Sequence, residues 1–147
     1  MPTENQILGQ KGEELVVKSC HCPRCKRKRT LKRLPKNFKC ADVVCDFCGY
    51  LAQVKTATAK SVDHLPDRIL GAAWGVQSER MAAGIYLPLF IVLVTGRQSS
   101  IFYLSTDAQT PEMFVARKPL SEKARRAGWQ GFVYDLRKVR SSAIRLA

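Results

Sequence analysis

The chain has 147 residues, of which 25 are Lys or Arg and 12 are Asp or Glu, for a net charge of +13, and 46% of it is apolar. That length suits one domain with its own core, and that apolar content excludes a disordered chain. The longest apolar run, Ile85–Val94, contains Pro88 and falls short of the roughly 18 residues a membrane helix needs, and Met1–Asn5 shows no basic or apolar signal segment, so a cytoplasmic protein is expected. The charge is uneven: net +8 over residues 1–60, −2 over 61–116 and +7 over 117–147, two basic blocks around a nearly neutral middle, as in a polyanion binder.

In chain order, Asn5–Cys20 predicts a helix, because Ile7, Leu8, Leu15 and Val16 recur near helical spacing with Lys11, Glu13, Glu14 and Lys18 between them. All six cysteines follow, between Cys20 and Cys48. In a cytosolic chain such clustering points to metal before disulfide. Two C-x2-C knuckles stand out, Cys22-Pro23-Arg24-Cys25 and Cys45-Asp46-Phe47-Cys48, the second followed by Gly49, and nineteen residues separate them, a zinc-ribbon spacing. Four thiolates close a tetrahedral site, so a structural rather than catalytic zinc is expected on Cys22, Cys25, Cys45 and Cys48. Cys20 and Cys40 are surplus; Cys20 could replace Cys22 only in a looser knuckle, and both are expected to be small buried side chains.

Between the knuckles, residues 26–39 predict a basic loop or ribbon; nine basic residues and no acid lie between Arg24 and Lys39. Lys26, Arg27, Lys28 and Arg29 are candidates for phosphate contact. Val43–Val44 and Leu51–Thr58 predict strands joined by the second knuckle, and Asp67–Gly84 predicts a helix carrying Ile69, Leu70, Ala73, Trp74, Val76 and Met81. Leu87–Thr95 and Ile101–Leu104 predict core strands with a turn at Gly96–Ser100, Ser121–Ala127 a short helix stopped by Gly128, and Gly131–Leu136 a last strand. The elements make an α/β pattern with one core.

The hairpin around the second knuckle holds a candidate catalytic set. Asp42 lies three residues before Cys45, and Gln53 and Lys55 follow on the next strand, sharing a face while Val54 points into the core. An acid, an amide oxygen and a lysine converging in a basic chain suit phosphodiester cleavage. Asp42, Gln53 and the Val54 carbonyl would hold Mg2+ or Mn2+. Lys55 would orient or help deprotonate the attacking water and offset charge on the phosphorane. The plain alternative is three exposed polar residues on an ordinary strand.

Several longer matches go further: Cys22-x2-Cys25; Asp42-x2-Cys45-x2-Cys48 followed by Gln53-Val54-Lys55; Ile69-Leu70-Gly71-Ala72-Ala73-Trp74; Arg117-Lys118-Pro119-Leu120-Ser121; and Ala124-Arg125-Arg126-Ala127-Gly128-Trp129-Gln130-Gly131. In these the chain resembles the DpnI-like, or Dam-replacing, family of restriction endonucleases from about Cys22 to its end. The resemblance implies a PD-(D/E)xK restriction-endonuclease-like mixed sheet flanked by helices. One nuclease domain would span residues 1–147, with an inserted zinc ribbon at about residues 20–50 and Ile69–Trp74 in the helix after the active strand. It implies a Mg2+- or Mn2+-dependent endonuclease of double-stranded DNA, with a preference for G-A-T-C containing N6-methyladenine. By the same resemblance Trp129 is a candidate for the methylated base, the alternative being a core tryptophan, and Arg125 and Arg126 are candidates for phosphate contact.

Two departures matter. The family usually has Glu where this chain has Gln53, although the Mrr type of nuclease is similar in using Gln-x-Lys; Glu13 or Glu14 on the first helix could supply the missing carboxylate. The family's winged helix is not expected after Ala147, so specificity would come from the nuclease domain alone, from a homodimer or from a separate partner. The competing readings are a zinc-ribbon DNA-binding module without catalysis and, less well supported, a redox thiol protein.

Overall fold

The computed structural model describes residues 3–35, 41–116 and 129–147, the side chains of 72–78, 116 and 129–131 excepted. Cys40 and the expected Ser121–Ala127 helix lie outside the described residues. Helix α1 spans Glu4–Ser19. Thr3 caps it: its hydroxyl accepts the Gln6 N–H at 3.2 Å while the Gln6 side chain accepts the Thr3 N–H at 2.9 Å, satisfying two amides reciprocally. Strands β1 (Leu31–Arg33), β2 (Val43–Cys45) and β3 (Leu51–Thr58) follow. Then come β4 (Arg68–Trp74), α2 (Gly75–Ala82), β5 (Leu89–Thr95), β6 (Gln98–Leu104), β7 (Phe114–Ala116), β8 (Trp129–Asp135) and β9 (Ile144–Arg145).

The main sheet runs in the order β1-β2-β3-β5-β6-β9 and a second runs β4-β8-β7. The main sheet is mixed, since β3 and β5 are parallel while its other pairs are antiparallel. Strand β5 is buried on both faces, which its unbroken apolar sequence Leu89-Phe90-Ile91-Val92-Leu93-Val94 requires. Leu89, Ile91 and Leu93 point into a core shared with Ile69, Met81, Phe132 and Tyr134 from α2 and the second sheet. Phe90, Val92 and Val94 point into a core shared with Val16 of α1 and with the cysteine knuckles. This is the expected mixed α/β sheet. Among the described residues no helix is long and apolar enough to cross a membrane.

Two expected elements differ. Residues 67–84 are not one helix: they form β4 and then α2. Ile69 is 5% exposed and Leu70 is 67% exposed, an alternation of period two that pairing with β8 imposes. Gly71 explains the close fit, because a Cβ there would lie 2.8 Å from the Tyr134 ring and 2.9 Å from that of Phe132. The segment Ile69–Trp74 is therefore a strand. The turn between β5 and β6 is also tighter than Gly96–Ser100, since Thr95 pairs with Gln98 and only Gly96 and Arg97 intervene, with Gly96 at φ 55°. The basic stretch after the first knuckle contributes a strand, β1, to the sheet edge.

Helix α1 lies directly on β3. A Cβ on Gly12 would fall 1.7 Å from the Thr56 hydroxyl, so only glycine permits this approach. Gly12→Ala is expected to destabilise the protein by about 1–3 kcal/mol, the usual cost of overpacking. Chemical denaturation of both proteins measures it; an unchanged midpoint would show that the helix does not sit this close.

Candidate active site and metal centre

The two knuckles are built alike. The Lys26 N–H donates to the Cys22 carbonyl at 2.9 Å, and the Gly49 N–H to the Cys45 carbonyl at 2.9 Å. The Cys22 N–H donates to the Arg27 carbonyl at 3.1 Å, and the Cys45 N–H to the Tyr50 carbonyl at 2.8 Å. Both turns require a left-handed residue after the second cysteine: Gly49 at φ 77° and, in the first knuckle, Lys26 at φ 64°. The four sulfurs lie within 4.8 Å of one another, with Cys22–Cys48 at 3.6 Å and Cys25–Cys45 at 3.8 Å. A tetrahedral zinc with Zn–S bonds of about 2.3 Å needs sulfurs about 3.8 Å apart, so the set fits that ion.

The knuckle environment favours a thiolate at Cys45. Burial opposes ionisation there, but the Thr30 hydroxyl 3.2 Å away and the Cys48 and Phe47 amides bring the thiol down to about 6. Its neighbour Cys22 is pushed up to about 12, first by burial, with adjacent sulfurs adding to it; a dication among four sulfurs would remove that conflict. Cys20 stands outside the set. It is 5% exposed and burial raises its thiol to about 11, so it is an inert core side chain, as expected.

Asp42 sits at the point where β2 leaves β3. The two strands pair only through Val43–Ala52 and Val44–Leu51. The Asp42 N–H donates to the Ala52 carbonyl at 2.9 Å, and the Asp42 Oδ2 accepts the Val54 N–H at 2.7 Å. Alternation along β3 puts Gln53 and Lys55 on one face, with Val54 buried on the other. Glu13 reaches the site from α1. Its side chain is 21% exposed against 64% for its neighbour Glu14, which marks Glu13 as the inward acid. Arg33 of β1 lies 3.7 Å from Glu13 and 3.3 Å from Glu14.

These groups feel one another. Burial raises the Asp42 carboxyl above the usual range, against the Val54 hydrogen bond and the Lys55 charge. Burial also raises Glu13, and the negative charge of Asp42 adds to it, while Arg33 opposes. Lys55 is shifted down by burial against the pull of Asp42 and Glu13. Glu13, Asp42 and Lys55 therefore form one electrostatic unit, the perturbed cluster expected where charge chemistry is done. Tyr134, buried in the second sheet, also feels Asp42: burial raises its phenol and the carboxylate adds to the shift.

The DNA-binding candidates are placed unevenly. In the first knuckle the Arg27 guanidinium lies 3.7 Å over the Phe47 ring of the second, and Arg24 lies 5.4 Å over Tyr50. Each contact contributes about 0.5–1 kcal/mol at an exposed position and orients its arginine. Arg29 takes φ 61°, a second left-handed cationic residue. Arg125 and Arg126 lie outside the described residues. Trp129 begins β8 opposite Trp74, and its side chain is not described. The cysteine spacing could not reveal the aromatic seats of Arg24 and Arg27, nor the pairing of Arg137, Arg140 and Arg145 with Asp135, Asp67 and Asp63.

A family model described as DpnI, Dam-replacing family, matches residues 3–146. Among solved structures, the chain is similar to a Holliday junction resolvase, Hjc of Archaeoglobus fulgidus, with 12% identity, a TM-score of 0.33 and coverage of 80% of this chain and 84% of the resolvase.

A carboxyl whose folded-state proton affinity is raised costs stability when ionised. For Glu13 that cost is fully present above its folded pKa and absent below the unfolded value. Glu13→Gln is therefore expected to raise the melting temperature at pH 8 in buffer free of magnesium and manganese. The gain should shrink to nothing as the pH falls below about 4. Thermal melts across that range check the sign; a loss at pH 8 would contradict it.

Proposed function

The chain belongs to the DpnI, Dam-replacing family of restriction-like DNA endonucleases, and from that premise we propose that it hydrolyses phosphodiester bonds of double-stranded DNA in a Mg2+- or Mn2+-dependent reaction at Asp42, Glu13, Gln53 and Lys55. The observation that carries the reading is the anchored Asp42 carboxylate, sharing one electrostatic unit with Lys55 and Glu13. Asp42, Glu13, the Gln53 amide oxygen and the Val54 carbonyl would hold the cation, an all-oxygen donor set suited to a hard ion. When bound, that ion polarises the phosphate and acidifies water.

The chain's own groups do the rest. The Val54 N–H fixes one oxygen of Asp42, so the carboxylate need not reorganise as charge develops. Lys55, held toward its neutral form by burial, can take a proton from the attacking water; as an ammonium it stabilises the charge that grows on the phosphoryl oxygens. The four cysteines take a structural zinc, with no coordination position left open. We extend the reading to one nuclease domain of residues 1–147 with its zinc ribbon at about 20–50. A preference for N6-methyladenine rests on the family alone, and Trp129, Arg125 and Arg126 are proposed as its DNA contacts on the same ground.

Digestion of methylated and unmethylated plasmids with Mg2+ or Mn2+, followed by sequencing of the ends, tests the activity and the preference together. Asp42→Ala and Lys55→Ala are expected to lower the cutting rate by at least about 10²-fold while DNA binding persists. Binding without cutting across metals, salts and both substrates would instead establish an inactive DNA-binding module with Gln53 as its lesion. Neutralising Lys26, Lys28 and Arg29 together is expected to weaken binding about equally for all sequences and to flatten its salt dependence. Titrations at several salt concentrations read this; a loss confined to one sequence would mean that these residues read bases.

A further inference from the structure

Arg33 lies in the basic stretch of residues 26–39, beyond the Lys26–Arg29 run expected to contact phosphate, and its side chain is turned to acids. It belongs to β1, where its backbone pairs with Val43, the residue after Asp42. The next residue, Leu34, donates its N–H to the Asp42 carbonyl at 2.9 Å. The strand carrying Arg33 thus runs beside the strand that Asp42 leads into, and α1 packs against β1 and β3. From there the guanidinium reaches two successive helix acids, with Nε 3.7 Å from Glu13 and Nη1 3.3 Å from Glu14.

We propose that Arg33 is a positioning residue of the active site: tethered to Glu14, its guanidinium holds the Glu13 carboxylate beside Asp42, where a divalent cation binds. The inference rests on the proposed cation site. Three observations carry it. The two acids are not equivalent, since Glu14 is 64% exposed and Glu13 is 21% exposed, so Glu14 is an anchor at the rim and Glu13 the acid that faces inward. The Nε–Glu13 separation of 3.7 Å is longer than the roughly 2.7–2.9 Å of a charge-assisted hydrogen bond, so Arg33 steers Glu13 while leaving its oxygens accessible to a cation. With the neutral Gln53 in the third place, the site has two carboxylates, and the affinity for a dication depends on both being held together.

The guanidinium fork suits this role because it can face two carboxylates at once; a lysine cannot do so from one fixed position. Removing a group that orients a metal ligand commonly lowers metal affinity by about 10–100-fold. In the full, zinc-loaded chain without DNA, Arg33→Ala is expected to weaken Mn2+ binding, measured calorimetrically, by about that factor. In cleavage assays at limiting Mg2+ it should lower kcat while the KM for DNA changes less than about threefold. Arg33→Lys should recover part of the loss. Glu14→Gln should also weaken Mn2+ binding, but add nothing in the Arg33→Ala background, because the tether is then already gone.

Wild-type Mn2+ affinity in Arg33→Ala would overturn the proposal. So would a raised KM with unchanged kcat, which would make Arg33 a phosphate contact. A Glu14→Gln loss that persists without Arg33 would overturn it as well. Asp42→Ala separates the two levels: if it binds Mn2+ as the wild type does, the cation site itself is wrong and the role of Arg33 falls with it. If Asp42→Ala loses Mn2+ and Arg33→Ala does not, only the role of Arg33 falls. Zinc content and melting temperature of each variant verify that the fold is intact.

Discussion

Strand β3 has β2 beside it for two residues, Leu51 and Ala52, and β5 beside it from Gln53 to Thr58. Once β2 turns away past Ala52, the β3 amides on that edge lose their strand partner, and the first of them belongs to Val54. An unpaired amide inside a fold costs about 1–3 kcal/mol, and the Asp42 carboxylate takes this one at 2.7 Å. One hydrogen bond therefore completes the ladder and fixes an acid in the gap between two strands. The candidate site exists because the sheet splits here, and the split is stable because an acid fills it.

The groups that surround Asp42 follow from how the sheet is covered. Helix α1 can lie against β3 only because Gly12 has no side chain to strike Thr56, and that approach carries Glu13 to within electrostatic reach of Asp42. The paired knuckles clamp the other end, where the β2–β3 turn is held through the Cys45 and Tyr50 backbone and through four converging sulfurs. Burial raises the proton affinity of both acids and lowers that of Lys55. Such shifts mean that the fold holds these groups against their preference for water, and a bound dication would supply what the apolar surroundings withhold.

Much of this was legible in the sequence because it is local. The helix Asn5–Cys20, the strand Leu51–Thr58 and the two knuckles each depend on neighbours within a few residues, and all appear nearly where expected. Residues 67–84 were misread because Ile69, Leu70, Ala73 and Trp74 satisfy a helical spacing as well as an alternating one, and only pairing with β8, some sixty residues later, decides between them. The choice of Glu13 over Glu14 was likewise out of reach, since it depends on the rotation of α1 about its contact with β3. Lys26 shows a different limit: nothing in a lysine announces a left-handed backbone, and it is the match with Gly49 in the other knuckle that explains it.

Gln53 acquires a physical meaning in this setting. In the proposed site Asp42 and Glu13 already resist ionisation, each raised first by burial, with the charge of Asp42 raising Glu13 further. A third carboxylate at position 53 would add another like charge and drive the proton affinities higher still. The amide keeps an oxygen for a cation and omits that repulsion, leaving two acids against Lys55 and a shared Arg33. The site then carries less like-charge repulsion before a cation arrives, at the expense of a weaker pull on the dication. The balance also acts on Lys55. Burial is the largest influence on it, and the two acids do not overcome that influence. A third acid would raise the proton affinity of the lysine, whereas the neutral amide does not. In the proposed reaction, the amide at position 53 therefore leaves Lys55 closer to serving as a base than a third acid would.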